Sequence, residues 1–213
     1  SIMSGNQRSG LAQTVLGTVS PSTLGPVMTH EHLLIDFLCM FSPPIEASMR
    51  SRAYEPVTNL ENLGWVRYNW LSNHDNLLLT DEDTAIAEAM RYRRAGGGSI
   101  VDATTIGIGR DPLALARIAR ATDLNIVMGA GYYVDTVHPP DMDDLTDADI
   151  TRQMVGEIET GVDGTGVKTR IIGESGCSWP LTPNERTQSR LRSISSSSPS
   201  TSRITQPTPS WMS

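Results

Sequence analysis

The stretch SIVDATTIGIGRDPLALARIARATDLNIVMGAG, residues 99–131, decides the fold class of this chain. It opens on an apolar run at 99–104 and closes on a second run at 125–131. Between them, Asp111-Pro112 predicts a helix start, because a proline in the first turn has no N–H to leave unpaired. A strand, a helix and a second strand in this order predict two parallel strands joined by a crossover helix.

The same alternation continues in both directions. The further predicted elements are a hairpin at 14–19, a strand at about 27–35, helices from Thr80 and over 147–159, a strand at 170–174 and a helix from Thr182. Strands without polar alternation suit a sheet that is covered on both faces. The pattern fits either a (β/α) barrel or a doubly wound sheet. No glycine-rich phosphate loop follows the first strand, which disfavours the dinucleotide-binding form of the second.

Two histidines stand at the end of the first core strand, in the sequence Thr29-His30-Glu31-His32. Strand side chains alternate between faces, so His30 and His32 point to one side and can bind one metal ion. Glu174 ends a later strand, and active residues of a barrel lie at the carboxyl ends of its strands. Together these residues indicate a metal-dependent hydrolase. The alternative interpretation is that they are ordinary polar residues at strand ends.

Other polar residues at strand ends have less specific roles. Asp102 has two equal interpretations: it accepts a hydrogen bond from a ligand histidine, or it caps a backbone turn. Tyr133 shapes a substrate pocket or simply packs. His74 is expected to have no ligand role, and His138 is expected to be a surface loop residue.

Composition excludes several classes of function. The 213 residues carry a net charge of −7 and a pI near 5.0, which argues against nucleic-acid or membrane-surface binding. Two cysteines cannot build a disulfide framework. We find neither a signal-peptide pattern nor an apolar run of membrane-spanning length, so a cytoplasmic setting is expected.

Several motifs in order carry a family resemblance. They are Thr14-Val15-Leu16-Gly17, Thr29 to Leu34, Val101 to Thr105, Gly129 to Tyr133, Ile171 to Glu174, and Ser178 to Thr182. Over about residues 12–185 the chain resembles the phosphotriesterase-like family of the amidohydrolase superfamily, in its phosphotriesterase-related branch. The resemblance implies a TIM-type (β/α)8 barrel with a two-metal centre, commonly zinc. It further implies that His30 and His32 hold one metal, and that Glu174 takes the bridging position.

The resemblance stops before the chain does. The family supplies further histidines from the fifth and sixth strands and a proton-accepting aspartate from the eighth, and this sequence has no counterpart of them. Residues 186–213 are rich in Ser, Pro and Thr and lack apolar periodicity, which predicts a disordered, non-homologous tail. We therefore expect only the first four β/α units, over residues 1–185. A frameshift near Arg186 is the simplest hypothesis for the departure.

These expectations define a function and its rival. The first is a zinc-dependent hydrolase of a small-molecule ester-type bond (phosphotriester, lactone or related amide) acting through a metal-activated hydroxide. Activity is expected to be impaired, with at most one well-liganded metal site and no catalytic aspartate. The alternative is an inactive half-barrel fragment that binds metal or a partner. Unpaired barrel edges also predict a homodimer or aggregation.

Overall fold

The computed structural model describes residues 10–57 and 60–197, and the side chains of 10–57 and 60–190. Its strands are β1 Ala12–Thr14, β2 Gly17–Val19, β3 Val27–Glu31, β4 Ile35–Asp36, β5 Leu78–Leu79, β6 Ser99–Asp102, β7 Asn125–Ala130 and β8 Ile171–Ile172. Its α-helices are α1 Leu60–Tyr68, α2 Glu82–Arg94, α3 Pro112–Thr122, α4 Asp147–Glu159 and α5 Pro183–Ser197. Short 3-10 turns lie between them. Within these residues, no helix combines the length and hydropathy needed to cross a bilayer.

The central element is a four-stranded sheet in the order β3-β6-β7-β8, with every neighbouring pair parallel. The spatial order follows the chain order without the reversal that defines a doubly wound sheet. Crossovers between parallel strands are right-handed as a rule, which places the helices of sequential strands on the same face, as in a barrel. The structure confirms the predicted α/β half-barrel, and the doubly wound alternative is not the observed topology.

The first core strand is shorter than predicted. β3 ends at Glu31, and β4 pairs instead with β5 in a separate antiparallel ribbon. The reason is a change of hydrogen-bond partner: the backbone N–H of Leu33 donates to the Asp102 carboxylate at 2.8 Å rather than to a neighbouring strand. His32 therefore lies just beyond the strand, in the turn that follows it.

The helix starts follow the sequence signals with one correction. Asp111 caps α3 and accepts from the N–H of Ala114, with Pro112 in the first turn as predicted. α4 spans the predicted residues and begins with a reciprocal capping box between Thr146 and Asp149. The cap of α2 is Asp81 and not Thr80, because its carboxylate accepts the N–H of Thr84.

Two apolar clusters fix the sheet and its helices. The larger one includes Ile100, Ile118, Ile126 and Met128, all 2 % exposed or less, and packs the sheet against α2 and α3. Each such side chain contributes about 1.5–3 kcal/mol by burial. A second cluster around Tyr132 lies beneath α4. The strands, and hence their carboxyl ends, are thus held by well-packed surroundings.

The predicted boundary at residue 185 is too early. α5 continues to Ser197, so residues 186–197 are helical rather than part of a disordered tail. The start of this helix near Thr182 agrees with the prediction, and polar contacts explain why apolar periodicity did not predict its length. The buried Gln188 side chain accepts the N–H of Tyr132 at 3.0 Å, and Thr187 donates to Asp147 at 2.6 Å. The rest of the predicted tail, 198–213, lies outside the described residues.

Candidate metal centre

The three predicted ligands meet at the carboxyl ends of two strands. His30 is on β3, His32 follows β3, and Glu174 follows β8. Glu174 Oε2 lies 3.1 Å from His32 Nε2 and 3.5 Å from His30 Nε2. The ligand atoms of the three residues all lie within 4.8 Å of one another. The predicted same-side orientation of the two histidines is confirmed, since both rings reach one carboxylate.

Close approach of β8 to β6 brings Glu174 to the histidines. The N–H of Glu174 donates to Ala103 O at 3.1 Å. Ala103 follows β6, and β7 lies between β6 and β8 in the sheet. Gly173 permits this approach: a Cβ there would lie 2.7 Å from Thr105 Cγ2 and 3.0 Å from Ala103 O. A side chain at position 173 would therefore push the end of β8, and Glu174 with it, away from the site.

The electrostatics of the group keep Glu174 ionised. The hydrogen bond with His32, together with the charge of both histidines, lowers the pKa of Glu174, while its partial burial acts in the opposite direction. Glu174 is therefore an anion at neutral pH. It faces two imidazole nitrogens at a site that is about one-third exposed at the carboxylate, so an ion can enter from solvent.

His32 has a second partner on the side away from Glu174. Its Nδ1 lies 2.9 Å from the hydroxyl of Thr104, and that hydroxyl also donates to Leu34 O at 3.2 Å. Histidine ligands of metals commonly have such a hydrogen bond at the nitrogen that does not bind the ion. Sequence reasoning missed Thr104, although its place just after a fully buried strand was a usable signal.

The contacts of Asp102 agree with the interpretation that it caps a backbone turn. Its buried carboxylate accepts the N–H of Leu33 at 2.8 Å and that of Thr104 at 3.0 Å. Burial raises its pKa, and these hydrogen bonds oppose that rise. Among the hydrogen bonds of the described residues, none joins Asp102 to His30 or His32. It ties the turn after β3 to the end of β6.

Tyr133 is buried next to the site. Burial, followed by the charge of Glu174, raises the pKa of its phenol to about 12. Its ring centroid lies 5.6 Å from that of Phe37, so one side of the ring packs against an aromatic neighbour. The phenol is therefore neutral at physiological pH, and its ring packs beside the site.

The other two histidines lie outside the group. His74 packs against Phe41 and Tyr54, with ring centroids 5.5 and 5.8 Å away. The prediction that His138 is a surface residue is wrong. Its side chain is 5 % exposed, and its Nε2 lies 3.0 Å from Tyr133 O, because the turn after Asp135 folds the ring inward.

The donor set could hold one metal ion. Zinc binds imidazole nitrogen and carboxylate oxygen at about 2.0–2.2 Å, which places two ligands of a tetrahedral ion roughly 3.4 Å apart. The two His–Glu distances, 3.1 and 3.5 Å, bracket this value. Three protein ligands leave a fourth position for water or substrate. Within the described part of the chain, no second group of three metal-binding side chains is found.

A curled parallel half-barrel with two histidines and a carboxylate at its strand ends defines a class: α/β proteins with a metal-binding type of site at the barrel mouth. A sequence model of the Phosphotriesterase family matches residues 10–198. The chain therefore belongs to the phosphotriesterase family, as the motifs predicted.

Individual relatives agree with this assignment. The chain is 45 % identical over 181 residues to a phosphotriesterase-related protein of Nematostella vectensis, covering 84 % of this chain and 51 % of that protein. It is 46 % identical over 179 residues to the N-acetyltaurine hydrolase of Xenopus tropicalis, and 45 % identical to that of Homo sapiens, with the same coverage. The chain thus spans about half the length of the curated relatives it matches.

Solved structures show the same fold. A resiniferatoxin-binding protein from Rhodobacter sphaeroides matches with a TM-score of 0.82 and 40 % identity, over 86 % of this chain and 51 % of that one. The organophosphorus hydrolase of Deinococcus radiodurans matches with a TM-score of 0.61 over 90 % of this chain and 52 % of that one. At 24 % identity, the second likeness shows the fold alone.

Proposed function

We propose that this chain contributes to a metal-dependent hydrolase in which His30, His32 and Glu174 bind zinc. The observation that carries the proposal is the convergence of these side chains on one point, at distances that suit a tetrahedral ion. Zinc, when bound at such a site, lowers the pKa of a coordinated water and polarises a substrate oxygen. The protein's part is to hold three ligands on packed strand ends and leave one position open.

The surrounding residues limit what the site can accept. Tyr133 provides a neutral aromatic wall, and Asp102 is occupied by two backbone hydrogen bonds. We assign neither of them the role of general base, in keeping with the expectation of impaired turnover.

The substrate class that we propose is a small molecule with an amide or ester-type bond. The names of the most similar relatives favour the amide, because two of them are hydrolases of N-acetyltaurine at about 45 % identity. We place an N-acyl amide first, and a lactone or phosphotriester second. A cytoplasmic location stays part of the proposal, and fractionation of cells expressing a tagged chain would check it.

The test combines zinc binding with turnover. The purified 213-residue chain is titrated with zinc and assayed on N-acetyltaurine, an aryl ester and a lactone, alongside His30→Ala and the surface control Glu88→Gln. Zinc-dependent turnover that His30→Ala abolishes and Glu88→Gln retains supports the enzyme. A wild-type chain that binds no zinc refutes the proposal.

The second candidate is a half-barrel that binds metal or a partner without turnover. The observation that favours it is that the described residues contain one three-residue group that could hold a metal and no second such group. Stoichiometric zinc binding with no hydrolysis of any of the three substrates supports this candidate over the enzyme.

A further inference from the structure

We infer that Thr104 is a positioning residue that fixes the imidazole of His32 with its Nδ1–H bound to the threonine hydroxyl, so that Nε2 faces the metal position. The inference rests on the proposed metal site and deepens it. It assigns a role to a residue that binds neither the ion nor the substrate.

The proton assignment follows from the partners of one hydroxyl. The Thr104 hydroxyl has a single proton and two acceptor lone pairs. Leu34 O, 3.2 Å away, and the Asp102 carboxylate can only accept, so the hydroxyl proton is directed to one of them. The lone pairs are then left for His32 Nδ1 at 2.9 Å, which must carry the proton of that hydrogen bond.

Thr104 is itself held rigidly. The residue is 1 % exposed, and its N–H donates to Asp102 Oδ1 at 3.0 Å. The other carboxylate oxygen of Asp102 accepts the N–H of Leu33, the residue next to His32. The end of β6 thus holds both the backbone beside His32 and the outer nitrogen of its ring. In a buried network of this kind, a missing partner is costly because water cannot replace it.

His30 and His32 differ in how firmly their rings are held. The His32 side chain is 22 % exposed, whereas the His30 side chain is 42 % exposed. Among the polar contacts of the described residues, His30 has its contact with Glu174, while His32 has contacts on both ring nitrogens. His32 is the pre-oriented ligand, and its orientation depends on one hydroxyl.

The test compares Thr104→Val, Thr104→Ser and Thr122→Val in the full chain. Valine keeps the shape of threonine but removes the hydroxyl, and serine restores it. Thr122 is the matched control, since it is also 1 % exposed and its hydroxyl donates to Ile118 O at 2.7 Å inside α3, away from the site. Zinc affinity is measured by competition with a chromophoric chelator. We expect Thr104→Val to lower it by about 10-fold or more, and both other variants to keep the wild-type value.

A second readout does not depend on zinc. A hydrogen-bonded Nδ1–H exchanges slowly with water, so ¹H–¹⁵N spectra of selectively labelled histidine should show this proton for His32 in the metal-free and zinc-loaded chain. Thr104→Val should lose the signal and Thr104→Ser should keep it. If Thr104→Val does not fold, the wild-type spectrum and the serine variant decide.

The outcomes separate the two proposals. A wild-type chain that shows the protected proton but binds no zinc refutes the proposed function, and the role of Thr104 toward the metal falls with it. A chain that binds zinc but shows no protected His32 proton overturns the inference alone. So does a folded Thr104→Val variant with unchanged affinity.

Discussion

His32 and Glu174 belong to opposite edges of the four-stranded sheet, yet His32 Nε2 lies 3.1 Å from Glu174 Oε2. In a flat sheet, strands three places apart would be separated by about 14 Å. The contact therefore shows that the sheet is curled. The backbone shows the same curl, since the N–H of Glu174 reaches Ala103 O at the end of β6 across β7.

Removing the charge of Glu174 should disable the metal centre. Glu174→Gln keeps the shape of the side chain but removes the only anionic ligand of the group. Zinc affinity measured by calorimetry should fall by more than the roughly 10–100-fold that is typical of changes in the outer hydrogen bonds of a site. The exposed Glu88→Gln variant should bind as the wild type does. Equal affinities of the two variants would contradict the ligand assignment.

Position 173 should tolerate no side chain. The Cβ of Gly173→Ala would contact Thr105 and Ala103 O at 2.7 and 3.0 Å. We expect a loss of about 1–3 kcal/mol in unfolding free energy from overpacking, and weaker zinc binding as Glu174 moves outward. Gly156→Ala is the control, because a Cβ in that helix has nothing within 4 Å. It should stabilise the chain by about 0.5–1 kcal/mol in urea unfolding. Unchanged zinc affinity in Gly173→Ala would argue against the packing account.

A buried ion pair should be a strong determinant of stability. Arg110 donates to both carboxylate oxygens of Glu157, at 2.7 and 2.8 Å, and to Gly129 O, with both side chains less than 10 % exposed. Arg110→Ala leaves a buried, unpaired carboxylate, which should cost about 3–5 kcal/mol. Arg93→Ala, which breaks the exposed pair with Asp123, should cost about 1 kcal/mol or less. Chemical denaturation of the two variants should separate these values clearly, and similar losses would contradict the prediction.

The capping box of α4 predicts a pH effect of known sign. Hydrogen bonds from Thr146, then Arg152, lower the pKa of Asp149 to about 2 from its usual value of 3.8. A lowered folded-state pKa stabilises the fold above pH 4, and this contribution is lost as the pH falls toward 2. The Tm difference between wild type and Asp149→Asn should therefore be larger at pH 6 than at pH 3. Thr146→Ala removes the main hydrogen-bond partner of Asp149. When Asp149→Asn is introduced into Thr146→Ala, the resulting Tm difference should depend less on pH than it does in the wild type. An equal pH dependence in the two backgrounds would refute the account.

The chain as it stands should self-associate through its sheet edges. In the four-stranded sheet, β3 and β8 are the two edge strands among the described residues, and Val27 on β3 is 38 % exposed. An edge lysine opposes pairing with a second chain. Val27→Lys should therefore shift the chain toward monomer in analytical ultracentrifugation, whereas Leu113→Lys, at an exposed position on α3, should not. A monomeric wild type with a cooperative melt would contradict this prediction.

Local signals were sufficient for the order and class of the elements. Buried apolar runs, the Asp111-Pro112 start and the capping residues Thr146 and Asp149 act within a few positions of one another, so the sequence determined where α3 and α4 begin. The spacing of His30 and His32 was likewise enough to predict that the two imidazoles point to one side. The motifs from Thr14 to Thr182 predicted the family that the comparison of residues 10–198 then showed.

Contacts between distant residues were decided only by the tertiary structure. The hydroxyl of Thr104 meets His32, the carboxylate of Asp102 turns to the N–H of Leu33, and Gln188 holds α5 against Tyr132. Each is a polar contact between residues far apart in the chain, and such a contact produces no repeating pattern of apolar residues in the sequence. Apolar periodicity records which side of an element is buried, but the partner of a single buried hydrogen bond depends on how the sheet curls.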